Sequence, residues 1–247
     1  MVRKIMLLLL YDMQILIIYF VSYTIYEEMM KKQVKSKQRV ANYGEVFTNE
    51  REVKAMCNLV KQETERIDSR FLEPACGDGN FLAEILKRKL AIVKTKYKKN
   101  PFDYEKNSLL AVSSLYGVDI MLDNVLACRK RLYKIWADEY KLVCKRECNA
   151  DVNKSICYIL SKNIVCGNAL TLKCVDENAK DIDKPIIFSE WSFITGFNIQ
   201  RSDYTFDELL NQSSSQKQLT LNNCSNNDEG VFLKKYICNY RRLWEYE

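Results

Sequence analysis

The stretch Phe71-Leu72-Glu73-Pro74-Ala75-Cys76-Gly77-Asp78-Gly79-Asn80-Phe81-Leu82 constrains the fold of this chain more than any other. A short apolar run stops at Pro74, as a strand that ends sharply does. Two glycines one residue apart follow. From Asn80 onward, Phe81, Leu82, Ile85, Leu86 and Leu90 fall at helical spacing. Gly77 and Gly79 let the backbone approach a ligand closely and adopt turns closed to other residues. The opening N–H groups of the helix, at its positive dipole end, suit a carboxylate. Glu73, just before the loop, suits an ammonium group. Together these two ends match an amino-acid zwitterion. The phosphate-binding fingerprint G-x-G-x-x-G fits less well, since Leu82 stands at its third glycine.

Further elements follow the same pattern. Asn49 to Arg66 carries Val53, Met56, Leu59 and Val60 at helical spacing, and Lys94 to Asn107 is a basic insertion around Pro101. Ser108 to Ser114 extends a second short helix. Leu115 to Asp119 is a second strand, followed by a helix to about Trp136 with Met121, Val125, Cys128, Leu132 and Ile135 as its buried stripe. Asn163 to Cys166 is a third strand and Pro185 to Phe188 a fourth. Strand and helix in alternation predict an α/β fold with a doubly wound, mostly parallel sheet. The chain divides into an apolar segment (1–29), a main domain (30–210), a polar low-complexity linker expected to be disordered (211–230), and a basic, aromatic tail (231–247).

Composition removes several kinds of chemistry. The 247 residues contain no histidine, which excludes Ser-His-Asp and Cys-His catalysis and imidazole-ligated metals. The 10 cysteines form no compact disulfide framework and read as reduced thiols of a cytoplasmic protein. A zinc site from Cys144, Cys148, Cys157 and Cys166 lacks the paired short knuckles of zinc ribbons, which favours core cysteines. A net charge of +6 is compatible with a polyanion partner and equally with a solvated basic surface.

Ile5 to Ile25 is apolar and long enough to cross a bilayer, interrupted by Asp12 and Gln14. An acidic residue inside a span costs about 2.5–3.5 kcal/mol. Two readings stand: a membrane anchor, or a start placed too far upstream of Met29 or Met30, which Asp12 favours. Lys31 to Ala41 reads as a flexible basic arm.

The segment from Glu73 to Leu82 resembles motif I of adenine-specific, amino-group DNA methyltransferases, D/E-P-A-C-G-S-G-x-F-L. Other segments follow in that family's order. Gly44-Glu45-Val46-Phe47-Thr48 is similar to motif X, Tyr116-Gly117-Val118-Asp119-Ile120 to motif II, and Asn163-Ile164-Val165-Cys166-Gly167-Asn168-Ala169-Leu170 to motif III. The resemblance covers about Tyr43 to Leu170, roughly half the chain. It implies a Rossmann-like methyltransferase core, S-adenosylmethionine as cofactor, DNA as partner and a restriction–modification setting, with no metal required. By the same resemblance Phe47, Thr48, Glu73, Ala75, Gly77, Gly79 and Asp119 would hold the cofactor, Asp119 through its ribose hydroxyls. Asn168, where the family has Asp, would meet its adenine edge.

Motif IV, D/N/S-P-P-Y/F/W, is where the resemblance stops, because the chain contains no Pro-Pro pair. That motif holds the target amino group and stacks an aromatic ring on the flipped base. Glu190 as acceptor and Trp191 as stacking face are the only stand-ins after the fourth strand, against the plainer reading of a helix cap and a packed aromatic. About 55 residues follow Trp191, too few for the rest of that architecture, so the C-terminal half is shortened. Two readings stay open: a methyltransferase complete in itself, or a cofactor-binding subunit or pseudoenzyme that needs a second methyltransferase or specificity subunit. RNA or protein is an alternative acceptor. Arg201 to Phe206 and Lys234 to Trp244 interleave basic and aromatic residues, which suits either a single strand or a small helix docked on the core.

Overall fold

The computed structural model describes residues 35–215 and 234–246. The apolar segment 1–29, and the part of the linker within 216–230, lie outside the described residues. Among the described residues no helix is long and apolar enough to cross a membrane.

The chain forms two units, Met1–Asn49 and Glu50–Glu247. In the first, helix α1 (Lys37–Tyr43) is capped by the Ser36 side chain and ends at Gly44. Arg39 pairs with Glu45 at 2.6 Å, and the Lys35 ammonium lies 5.7 Å from the centre of the Phe47 ring. The basic arm expected over Lys31 to Ala41 is therefore helical from Lys37. A serine cap and an ion pair across the turn supply the local order that composition alone did not promise.

The second unit runs α2 (Glu50–Leu59), α3 (Lys61–Thr64), β1 (Phe71–Glu73), α4 (Asn80–Tyr97), α5 (Pro101–Ser113), β2 (Leu115–Asp119), α6 (Leu122–Cys144), α7 (Ala150–Asn163) and β3 (Ile164–Asn168). After these come β4 (Lys173–Val175), β5 (Asp181–Pro185), β6 (Ile187–Phe193), β7 (Asn198–Thr205), α8 (Phe206–Ser215), β8 (Lys234–Asn239) and a 3-10 turn, Tyr240–Glu245. It is an α/β fold. A five-stranded sheet has the order β1-β2-β3-β4-β5, parallel from β1 to β3 and antiparallel beyond.

Several expectations change: α6 runs on to Cys144, well past Trp136, and residues 211–215, expected to open the disordered linker, end helix α8. Pro101 does not interrupt a loop; it is the first residue of α5, whose N-cap Asn100 accepts hydrogen bonds from the N–H groups of Phe102 and Asp103. Helix α7 is an addition, capped by Asn149. The fourth parallel strand does not form. Residues 181–185 pair antiparallel with β4, and Ile187–Phe193 joins β7 and β8 in a separate antiparallel sheet.

Strand alternation sends the two faces of the parallel strands into different cores. Leu115 and Ile164 are fully buried among α4, α5, α6 and α7, with Leu86, Leu109, Val125, Leu132 and Trp136. Tyr116 and Val118 meet Ile186, Phe188 and Phe206 on the other face. The larger core also holds a lysine. Lys89 is fully buried, and its ammonium group donates to the carbonyls of Ile67 and Ser69 and to Ser114 Oγ.

Burial pushes the Lys89 amine down to about 7. Between that value and its ordinary range the unfolded chain holds a proton the folded chain has released, so stability rises with pH across this window. Lys89→Met is expected to flatten that rise. Urea midpoints measured from about pH 6.5 to about pH 9.5 check it, and an unchanged slope would exclude Lys89 as its source.

The C-terminal residues dock on this core. Buried Glu105 of α5 accepts hydrogen bonds from Tyr140 Oη at 2.5 Å, Tyr240 Oη at 2.7 Å and Arg241 Nε at 2.6 Å. Arg201 is buried too. It forms a two-pronged pair with Asp203 and lies against the rings of Tyr158, Trp191 and Tyr236. The basic and aromatic residues read as a strand-binding pattern are thus largely engaged within the fold: Tyr240 and Arg241 dock on the core in a 3-10 turn, while Arg201 lies in strand β7 and not in a helix.

Candidate functional site

The glycine loop leaves the carboxyl end of β1 and enters α4 at once. Cys76 N–H donates to Val118 O at 2.8 Å, which stitches the loop to the neighbouring strand. Gly77 and Gly79 both adopt positive φ, 52° and 88°. At Gly79 a side chain is excluded twice over, since a Cβ there would lie 2.6 Å from Cys128 Sγ. Gly79 is also the N-cap of α4 and offers no side chain to it. The N–H groups of Phe81 and Leu82 open the helix, where no intrahelical acceptor exists.

Asp119, at the carboxyl end of β2, closes the loop. Its Oδ2 accepts Gly77 N–H at 2.9 Å, and Oδ1 accepts Met121 N–H at 2.8 Å and Asn124 Nδ2 at 3.1 Å. A carboxylate offers about four lone-pair sites, so three donors leave room for about one more, on Oδ2. Opposite, Arg131 of α6 grips Asp78 with both nitrogens, at 2.8 and 3.2 Å, and also reaches Asn80 Oδ1 at 2.6 Å.

Glu73 differs from both. It is half-buried, it accepts the N–H of Ala75, and among the described residues no lysine or arginine pairs with it. Burial raises its carboxyl above the ordinary range, against the opposing effect of the Ala75 N–H. A partly desolvated carboxylate without a cation is a ready acceptor for a ligand ammonium. Beneath the loop the Cys76 thiol is hydrogen-bonded to Cys128 and buried, both of which push it far above the thiol range. Both thiols are buried and pack beneath the loop.

Glu73, Ala75, Gly77, Gly79 and Asp119 thus converge at the carboxyl ends of β1 and β2. Asn168 ends β3 on the same side, but its side chain has local work. Its Oδ1 accepts Leu170 N–H at 3.0 Å and its Nδ2 donates to Asp181 Oδ1 at 3.1 Å. Phe47 and Thr48 belong to the first unit.

Glu190 and Trp191 require correction as stand-ins for a target-binding motif. They lie mid-strand in β6, so neither is part of a helix cap. Glu190 pairs with Arg70, the residue before β1, at 2.9 Å, and both line a hollow with Ser113 and Ser114, which precede β2. That is the amino end of the parallel strands, away from the loop. Trp191 is buried, its Nε1 donating to Asn163 Oδ1 at 3.1 Å, so it packs and cannot stack on a base.

The four cysteines weighed as a zinc site do not gather among the described residues: Cys144 faces Pro101 O, Cys148 faces Tyr140 O and Cys166 faces Ile120 O, while Cys157 is exposed and departs from the core reading. Two functional contacts were missed from sequence, Asn124 and Arg131. Their signal was there: with Cys128 they occupy one stripe of α6 at spacings of four and three, and this stripe faces the loop.

Compared with protein-family models, with curated proteins and with solved structures, the chain has no match.

Proposed function

We propose that this chain is the S-adenosylmethionine-binding part of an adenine-specific DNA methyltransferase, on a Rossmann-like sheet. The observation that carries the reading is Glu73: a half-buried carboxylate with no paired cation among the described residues, one loop away from a helix start that no side chain caps. The site fits the cofactor's amino-acid end. Glu73 would take the ammonium, and the first N–H groups of α4 would take the carboxylate. The remaining acceptor site of Asp119 Oδ2 fits one ribose hydroxyl. Gly79 lets the start of α4 pack directly on Cys128, where a Cβ would lie 2.6 Å from Sγ.

When bound, S-adenosylmethionine supplies a methyl group activated by a sulfonium. The chain's own contribution is positioning, with Asp119 fixing the middle of the loop at Gly77 and Arg131 fixing Asp78 and Asn80 where it enters α4. The displacement of Glu190 and Trp191 to the far end of the sheet favours the reading in which the groups that hold the target base come from elsewhere.

The test is binding of labelled S-adenosylmethionine to the full chain across pH. Below its raised pKa Glu73 is neutral and cannot pair with an ammonium. Affinity should therefore fall as pH drops, starting above the range of an ordinary glutamate. Glu73→Gln should bind at least about 10-fold more weakly at pH 7. The same variant should melt at least as high as the parent. A raised folded pKa means that ionising Glu73 opposes folding, and the amide removes that penalty. Absent binding by the parent chain, or affinity indifferent to both pH and Glu73→Gln, would overturn the reading.

A further inference from the structure

Three carboxylates meet at the glycine loop, those of Glu73, Asp78 and Asp119. As a cofactor site the loop has a use for two of them. Glu73 would take an ammonium, and Asp119, which accepts Gly77 N–H, would take a hydroxyl. Asp78 answers to no group of the ligand. It lies between two glycines of positive φ and directly precedes Gly79, the N-cap of α4. The guanidinium that meets Asp78 also meets the side chain of Asn80, the first residue of α4, so the charge of Asp78 stands beside the positive end of that helix. The first turn of α4 has no acidic residue of its own. A ligand carboxylate arriving at this helix start therefore meets one fixed anion of the same sign, Asp78.

Of the three carboxylates, among the described residues, only Asp78 is paired with a cation. Arg131 of α6 meets both of its oxygens, at 2.8 and 3.2 Å, and the two side chains remain 31% and 25% exposed, so the pair belongs to the surface of the site and not to the core. We propose that Arg131 is a specificity-determining residue, which neutralises Asp78 and so lets the start of α4 accept a ligand that carries a carboxylate. This rests on the reading of the loop as a cofactor site. With the pair intact, the carboxylate of S-adenosylmethionine approaches the helix N–H groups beside a neutral pair. Without Arg131, bare Asp78 repels that carboxylate and attracts the ligand's cationic groups. A ligand that differs only in lacking the carboxylate gains nothing from the neutralisation. Arg131 also holds the loop, but that role affects every ligand alike, and a ratio of affinities separates the two.

Calorimetric titration of the full chain at pH 7 compares S-adenosylmethionine with its decarboxylated analogue, which keeps the ammonium, the sulfonium and the adenosine. The forms are the parent, Arg131→Met, Asp78→Asn and the double variant. The parent should prefer S-adenosylmethionine. Arg131→Met should lower that preference at least about tenfold. Asp78→Asn leaves Arg131 an amide oxygen to hold and removes the anion, so it should keep the preference or raise it. The double variant should regain the parent's preference to within about threefold. A purely structural clasp predicts one preference in all four forms, with both ligands weakened wherever the pair is lost. An unchanged ratio in Arg131→Met, or a ratio equally low in the double variant, overturns the proposal. So does a parent that binds the two ligands equally, and the cofactor reading then still stands. A parent that binds neither overturns the cofactor reading and this inference with it.

Discussion

Asp119→Ala is expected to weaken S-adenosylmethionine binding at least about 100-fold, or about 2.7 kcal/mol, while the fold survives. The residue does two jobs with one carboxylate. It accepts from Gly77, Met121 and Asn124, and its remaining lone pair on Oδ2 would accept one ribose hydroxyl of the proposed cofactor. Hydrogen bonds to a charged acceptor contribute about 1.5–3 kcal/mol each, so losing the Gly77 clasp alone frees the loop from its binding shape. Asp119→Asn should be nearly as damaging. One amide oxygen can serve one side, but the NH₂ then confronts either Gly77 N–H or the donors of Met121 and Asn124. Calorimetric titration of the folded variants checks this. Binding within about threefold of the parent would show that the loop holds its shape without the clasp.

Glu105→Ala is expected to lower the free energy of unfolding by about 3–5 kcal/mol, the range seen when one partner of a buried ion pair is removed. Three donors from α6 and the C-terminal turn converge on this carboxylate, and the alanine leaves the Arg241 guanidinium and the Tyr140 and Tyr240 hydroxyls without it. Glu105→Gln should fall between, keeping an acceptor and losing the charge. The same carboxylate pushes the Tyr140 and Tyr240 hydroxyls above the tyrosine range, second to burial. Urea unfolding gives the measurement, and a loss below about 1 kcal/mol would mean the tail is held mainly by Leu243 and its apolar neighbours.

Features that depend on near neighbours were legible in the sequence. The loop and α4 declare themselves within a dozen residues, through glycine spacing and helical periodicity; of the stripe read for α6, Val125, Cys128 and Leu132 are buried, while Met121 is the N-cap and Trp136 is buried in place of Ile135. Pro101 misled because a proline opens a helix as readily as it interrupts one. The Asn100 cap before it was the deciding signal. Helix α7 was missed, although Asn149 and the spacing of Val152, Ile156, Ile159 and Leu160 carried the same kind of signal.

The rest depended on pairings across distance. The apolar run Pro185 to Phe188 marks a strand, but neither its extent to Phe193 nor its neighbour, and the neighbour decides where Glu190 lies. Its register with β7, from Ile187 opposite Thr205 to Phe193 opposite Ile199, assigns it to the second sheet. Likewise Arg241 looked available for a polyanion because its partner Glu105 lies 136 residues away.

That same separation has a consequence for synthesis. Glu105 is translated long before Arg241, and Arg201 and Tyr158 wait for the carbonyl of Tyr246. During translation, α5, α6 and α7 can associate while these buried polar groups still lack their final partners. The last turn then arrives as a closing stitch. A nascent chain stalled short of Tyr240 would carry a buried acid with two of its three donors missing, a natural mark of incompleteness for cellular quality control to act upon.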